Sequence, residues 1–151
     1  MKSPIRILPG AFDALQALHG SLKNAGVPAA TLELMNLRAS QINGCGVCVD
    51  MHSRALKKLG EKDERIFAAS AWRETPYYSE AERAALALTE ATSRLSDRAD
   101  PVPDDIWQEA ARHYDETALA GLVLSIGIIN LWNRLNASTR QLGGDWVAAY
   151  V

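Results

Sequence analysis

The chain has 151 residues and a formal charge of −2, with 48% hydrophobic and 23% charged residues, enough apolar material for one domain that buries its core without disulfide staples. Its 16 Lys and Arg are scattered and outnumbered by 18 Asp and Glu, which excludes the basic footprint of a nucleic-acid or anionic-membrane binder. Ile5 to Leu8 is too short for a signal-peptide core and lies between prolines, so a cytoplasmic, reducing location is expected.

In chain order, residues 1–10 carry Pro4, Pro9 and Gly10 and predict only a short extended piece. A first helix follows, with Phe12, Leu15, Leu18 and Leu22 repeating at helical spacing before a stop at Asn24-Ala25-Gly26; His19 on it reads as a surface or structural histidine. Pro28 opens a second helix reaching about Ile42. Its apolar residues form two stripes, Leu32/Met35/Ala39/Ile42 and Ala30/Leu34/Leu37, so it is expected to be buried on both sides. Glu33 lies between two leucines there and has two readings: an inward carboxylate able to carry a proton near neutrality, or a purely structural one that is either exposed or paired with Arg38.

The stretch Asn43 to His52 holds both cysteines of the chain and one of its three histidines. Asn43-Gly44 is a helix stop, and the run from Val47 to Leu59 has no Gly or Pro, which puts Cys45 and Cys48 at the start of a third helix ending at Gly60. Free N–H groups and the positive helix end favour a thiolate there. His52 follows Cys48 by four residues, on the same helix face, and can take its proton. A Cys-x-x-Cys pair can also close to a disulfide with little backbone movement. Zinc is a weaker reading, because two Cys and one His lack a fourth ligand; inert buried thiols are another. Which thiol attacks stays open, since Cys45 is nearer the helix end while Cys48 has the histidine.

Glu61 to Trp72 predicts a fourth helix with Ile66, Ala69, Phe67 and Trp72 inward, ended by Pro76; Tyr77 and Tyr78 in the following loop read as covering a helix end, with lining a pocket the weaker reading. Ser79-Glu80-Ala81-Glu82 is a capping box for a fifth helix, whose inward set is Ala81, Ala84, Ala85, Leu88, Ala91, Thr92 and Leu95. After a polar loop over 96–103, Asp104 and Asp105 start a sixth helix with Ile106, Trp107 and Ala110 inward. Asp115 caps a last long helix, about Thr117 to Arg140, uncharged from Ala118 to Leu131 and so central or at an interface. Gly121, Ser125 and Gly127 keep its surface small for close helix approach, and Asn130, Asn133 and Arg134 offer inter-helix or inter-subunit hydrogen bonds. The apolar tail from Trp146 has no evident core place and is expected to dock on a neighbouring subunit. No strand alternates convincingly. The class is all-α, a single domain over 1–151 of about seven helices, expected to be a homo-oligomer.

Glu33, the run Leu37-Arg38-Ala39-Ser40-Gln41-Ile42-Asn43-Gly44-Cys45, then Cys48 and His52 resemble the carboxymuconolactone decarboxylase and alkylhydroperoxidase D-like family, and the resemblance continues through Trp72, the Ser79 capping box and Asn130 to Arg134. It implies an all-helical bundle assembled as a homotrimer or homohexamer, and thiol-dependent reduction of hydroperoxides without metal or other cofactor. By matching position, Cys48 is the attacking thiol that becomes a sulfenic acid, Cys45 the partner that closes the disulfide, and His52 and Glu33 the proton relay. An external dithiol or lipoylated protein is the implied reductant. The family's best-studied type has a histidine directly before the second cysteine, where this chain has Val47. That departure favours a rival, a disulfide oxidoreductase or redox sensor that does not turn over peroxide efficiently; a non-catalytic helical scaffold is the other. The decarboxylase branch lacks the cysteine pair, which argues against decarboxylation here.

Overall fold

A computed structural model describes residues 2–97 and 99–151. Its α-helices are α1 (Pro4–Ile7), α2 (Ala11–Ser21), α3 (Ala29–Asn43), α4 (Gly46–Lys58), α5 (Asp63–Phe67), α6 (Glu80–Ser93), α7 (Asp104–His113) and α8 (Glu116–Ser138). Short 3-10 segments cover Leu22–Asn24, Ala68–Glu74, Leu95–Asp97 and Asp145–Tyr150, and no strand occurs among the described residues.

Helix α3 is the axis, packing on α4, α6 and α8 at once. Its doubled apolar pattern requires this, because the stripes face different neighbours. Leu34 and Leu37 meet Leu56, Ile66, Trp72 and Leu86; Met35 meets Leu88, Leu122 and Ile126; Ala39 meets Cys45, Cys48, Ile129 and Val147. Removing a fully buried side chain such as Leu37 to Ala costs about 2–5 kcal/mol, so α3 carries a large share of the stability.

The cap signals in the sequence operate as read. Ser79 Oγ accepts the Glu82 N–H at 3.3 Å while Glu82 Oε2 accepts the Ser79 N–H at 2.8 Å. Asp115 Oδ1 accepts the Ala118 N–H at 2.8 Å and starts α8. Asn130 and Asn133 bond across to α3, the inter-helix role open to them in the sequence. By length and hydropathy α8 could cross a membrane, yet half of that window is buried in the bundle.

Several expectations need correction. Residues Pro4–Ile7 form a helical turn, not an extended piece, because Pro4 sits where its missing N–H is no loss and Leu8 N–H closes back on Pro4 O at 2.9 Å. The predicted fourth helix splits: α5 gives way to a 3-10 segment with a break at Ala71, and Phe67 is 75% exposed while Ile66, Ala69 and Trp72 turn inward. Leu95 and Trp107 are also exposed. No residue of α2 is fully buried, so its Phe12/Leu15/Leu18 stripe has no complete cover among the described residues. In the loop 96–103, Arg98 lies outside the described residues.

The apolar tail docks on its own chain. Val147 is fully buried against the cysteine region of α4, a placement set by the turn before it. Gly144, at φ +139°, donates its N–H to Asp50 Oδ2 at 2.8 Å, and a Cβ on Gly143 would lie only 3.3 Å from Gly46 O. Hydrogen bonds from Arg54 and from that Gly144 N–H hold the Asp50 carboxyl below its usual range, so it stays an anion that anchors the turn.

Candidate active site

Helix α3 ends in a motif that delivers the cysteines. Gly44 adopts φ +67°, the Gly44 N–H bonds Gln41 O at 3.4 Å and the Cys45 N–H bonds Ser40 O at 3.0 Å, a Schellman closure. Cys45 is thereby both the residue that finishes α3 and the N-cap of α4, with Cys48 in the first turn. Their Cα atoms are 5.3 Å apart and the two sulfurs are joined as a disulfide. Both residues are buried, Cys45 at 2% and Cys48 at 4% exposure.

Glu33 and His52 come together. His52 Nδ1–H donates to Glu33 Oε2 at 2.6 Å across the α3–α4 interface. The paired alternative for Glu33 is unavailable, because Arg38 turns to Glu90 at 2.7 Å. Glu33 keeps 23% of its side chain exposed, so it is half-buried, whereas the inward reading predicted fuller burial. With Nδ1 held by a carboxylate, Nε2 is the ring nitrogen left to exchange a proton with a neighbour.

A cleft of about 670 Å³ opens on this group. Cys48 lines it and Cys45 does not. Glu33, His52 and Asn136 supply polar wall, while Ile5, Phe12, Met51, Ile129, Trp132 and Trp146 make much of the rest apolar. His19, read as a surface histidine, is exposed at its edge.

Sequence reasoning missed Asn136, whose Nδ2–H donates to Cys48 Sγ at 3.4 Å. A signal existed in the spacing Asn130, Asn133, Asn136, one helix stripe at three-residue intervals. The first two bind α3: Asn43 Nδ2–H reaches Asn130 Oδ1 at 3.0 Å and Asn133 Oδ1 at 2.8 Å, and Asn133 Nδ2–H reaches Ser40 Oγ at 3.1 Å. The third reaches the disulfide.

An all-helical bundle with a Cys-x-x-Cys at the helix start of a central hairpin defines a class, and comparison with known proteins identifies it. Residues 9–91 match the carboxymuconolactone decarboxylase family, and the chain belongs to that family. It is 37% identical over 130 residues to the uncharacterized protein YdfG of Bacillus subtilis (strain 168), covering 86% of this chain and 87% of that protein. Alkyl hydroperoxide reductase AhpD of Methylobacterium sp. (strain 4-46) is 47% identical over a shorter stretch of 49 residues, 32% of this chain and 28% of that protein. Among solved structures, ATU0492 of Agrobacterium tumefaciens, of unknown function and provisionally assigned as the antioxidant defence protein AhpD, superposes with a TM-score of 0.86 at 34% identity over 93% of this chain and 94% of its own.

Proposed function

We propose that the protein is a thiol peroxidase that reduces organic hydroperoxides, with Cys48 as attacking thiol and Cys45 as its disulfide partner. The observation that carries this reading is that Cys48, and not Cys45, opens on the cleft that also holds the His52–Glu33 pair. His52 takes the Cys48 proton through Nε2, and Glu33 stabilises the imidazolium that results. The Cys48 thiolate attacks the terminal peroxide oxygen; the O–O bond breaks, the alkoxide leaves, and it takes a proton from His52 to become an alcohol. The product is a sulfenic acid on Cys48. The Cys45 sulfur attacks that sulfur, the S–O bond breaks, and the Cys45 thiol proton passes to the departing hydroxide so that water leaves and the Cys45–Cys48 disulfide forms. A dithiol or a lipoylated protein reduces it by exchange and is itself oxidised.

The apolar walls favour a bulky hydroperoxide over hydrogen peroxide, since buried hydrocarbon gains about 25 cal/mol per Å². Two further readings accompany this one: the uncovered α2 stripe suits a homotrimer or homohexamer, and the reducing cytoplasm suits a pair that must be recycled.

Stopped-flow oxidation of the reduced protein by cumene hydroperoxide and by hydrogen peroxide tests the reading. Cumene hydroperoxide should react the faster, Cys48→Ser should abolish reaction, and Cys45→Ser should leave a sulfenic acid on Cys48 that dimedone traps. Dimedone on Cys45 in Cys48→Ser, with nothing trapped in Cys45→Ser, reverses the two roles. No labelling in either variant under peroxide overturns the peroxidase. It would leave the disulfide oxidoreductase or redox sensor that Val47, in place of the family's histidine, favours.

A further inference from the structure

The family's motif residues lie on α3 and α4, yet a side chain that donates a hydrogen bond to the Cys48 sulfur comes from α8. We propose that Asn136 is a thiolate-stabilising residue of this site, supplying from α8 a fixed hydrogen-bond donor to Cys48 in a chain that carries Val47 where the family's best-studied type has a histidine. The assignment of Cys48 as the reacting thiol rests on the peroxidase reading; the effect of Asn136 on the thiol does not.

Three observations carry the proposal. The contact is direct, Asn136 Nδ2–H to Cys48 Sγ at 3.4 Å. Asn136 is held in place from both sides. One helical turn earlier, the buried Asn133 is bonded to Asn43 and Ser40 and so sets the rotation of α8 about its axis. One turn later, the helix closes with Gln141 N–H on Asn136 O at 2.9 Å and Arg140 N–H on Ala137 O at 3.1 Å. Finally, the Val47 side chain is buried and apolar and has no donor to offer.

An N–H donor gains more from an ionised acceptor than from a neutral one, so the same contact that is weak on a disulfide sulfur is stronger on a thiolate. Asn136 therefore favours the ionised Cys48 before peroxide attack. It favours the same thiolate again when the disulfide opens with Cys48 as leaving group. His52 and Glu33 move the proton; Asn136 moves none and does not itself titrate, so it acts only by favouring the ionised form of Cys48.

The test uses the Cys45→Ser background, in which Cys48 is the one thiol, and follows thiolate absorbance and the rate of iodoacetamide alkylation against pH. Asn136→Leu, close in shape but without a donor, should raise the Cys48 pKa by about one unit and slow alkylation at neutral pH about tenfold. Asn136→Asp should raise it further, by placing an anion beside the sulfur. With both cysteines present, Asn136→Leu should make the disulfide about tenfold harder to reduce against a reference dithiol, about 30 mV. A merely structural asparagine would change melting temperature and leave the thiol pKa in place, and an unshifted pKa in a folded Leu or Asp variant overturns the proposal. If Asn136→Leu does not fold, the isosteric Asp variant decides. Shifted pKa values without turnover of any peroxide would sink the peroxidase reading and leave Asn136's role standing.

Discussion

His52 Nδ1 and Glu33 Oε2 lie 2.6 Å apart, joining α3 to α4 one turn beyond the cysteine pair. The carboxylate holds the imidazole ring in place. Glu33→Gln keeps an acceptor but removes the charge, so the rate of Cys48 oxidation by cumene hydroperoxide should fall about 10- to 100-fold, with the fold intact by circular dichroism. An unchanged rate would remove Glu33 from the relay.

Glu90 is buried on α6 and acts as an anionic hub. Its Oε1 accepts from Arg38 Nε at 2.7 Å and from Trp72 Nε1 at 3.0 Å, and its Oε2 accepts from Arg73. Burial pushes its pKa up, but bonds from Arg73, Trp72 and Arg38 outweigh burial and hold it below the usual glutamate value. A depressed carboxylate stabilises the fold above its unfolded pKa of about 4.3 and loses that contribution as pH falls through the lower folded value. Glu90→Gln should therefore cost roughly 3 kcal/mol at pH 7, and in urea melts the gap from the parent should narrow as pH falls below about 4.3 and close only once pH has passed the lower folded value. A gap that stays constant with pH would contradict the hub.

Two glycines of α8 should respond with opposite signs. A Cβ on Gly121 would stand 2.3 Å from Ala25 Cβ, so Gly121→Ala should destabilise by about 1–3 kcal/mol. Gly127, which the sequence also read as a close-packing position, is exposed with nothing within 4 Å of such a Cβ. Gly127→Ala should stabilise by about 0.5–1 kcal/mol through helix propensity alone. Thermal melts of both variants check the pair, and a stabilising Gly121→Ala would refute the close approach.

Arg140 ends α8 in the left-handed region, at φ +54°. A side chain with a Cβ is strained there and glycine is not, so Arg140→Gly should raise stability by about 0.5–1 kcal/mol. A lower melting temperature in that variant would mean the Arg140 side chain contributes more than the strain it carries.

What was readable in advance followed local rules. The capping box at Ser79, the cap at Asp115, the stop at Gly44 and the doubled stripe of α3 each depend on residues within a few positions of one another. Errors fell where local pattern met a missing or unexpected neighbour. Phe12, Leu18 and Trp107 have helical spacing, but no element among the described residues covers them fully. The tail's place depends on Gly143 and Gly144 meeting Asp50, ninety-odd residues away in sequence.

The sequence by itself determined the long helices α3, α4, α6 and α8, the cysteines at a helix start and the histidine one turn on, because hydrogen bonding and side-chain spacing along one helix are local. Only the tertiary structure decided among partners of equal chemistry: Arg38 for Glu90, which left Glu33 to His52, and Asn136 for the Cys48 sulfur. Those choices turn on the relative rotation of α3, α4, α6 and α8. Packing of the buried faces sets that rotation, and no spacing within a single helix encodes it.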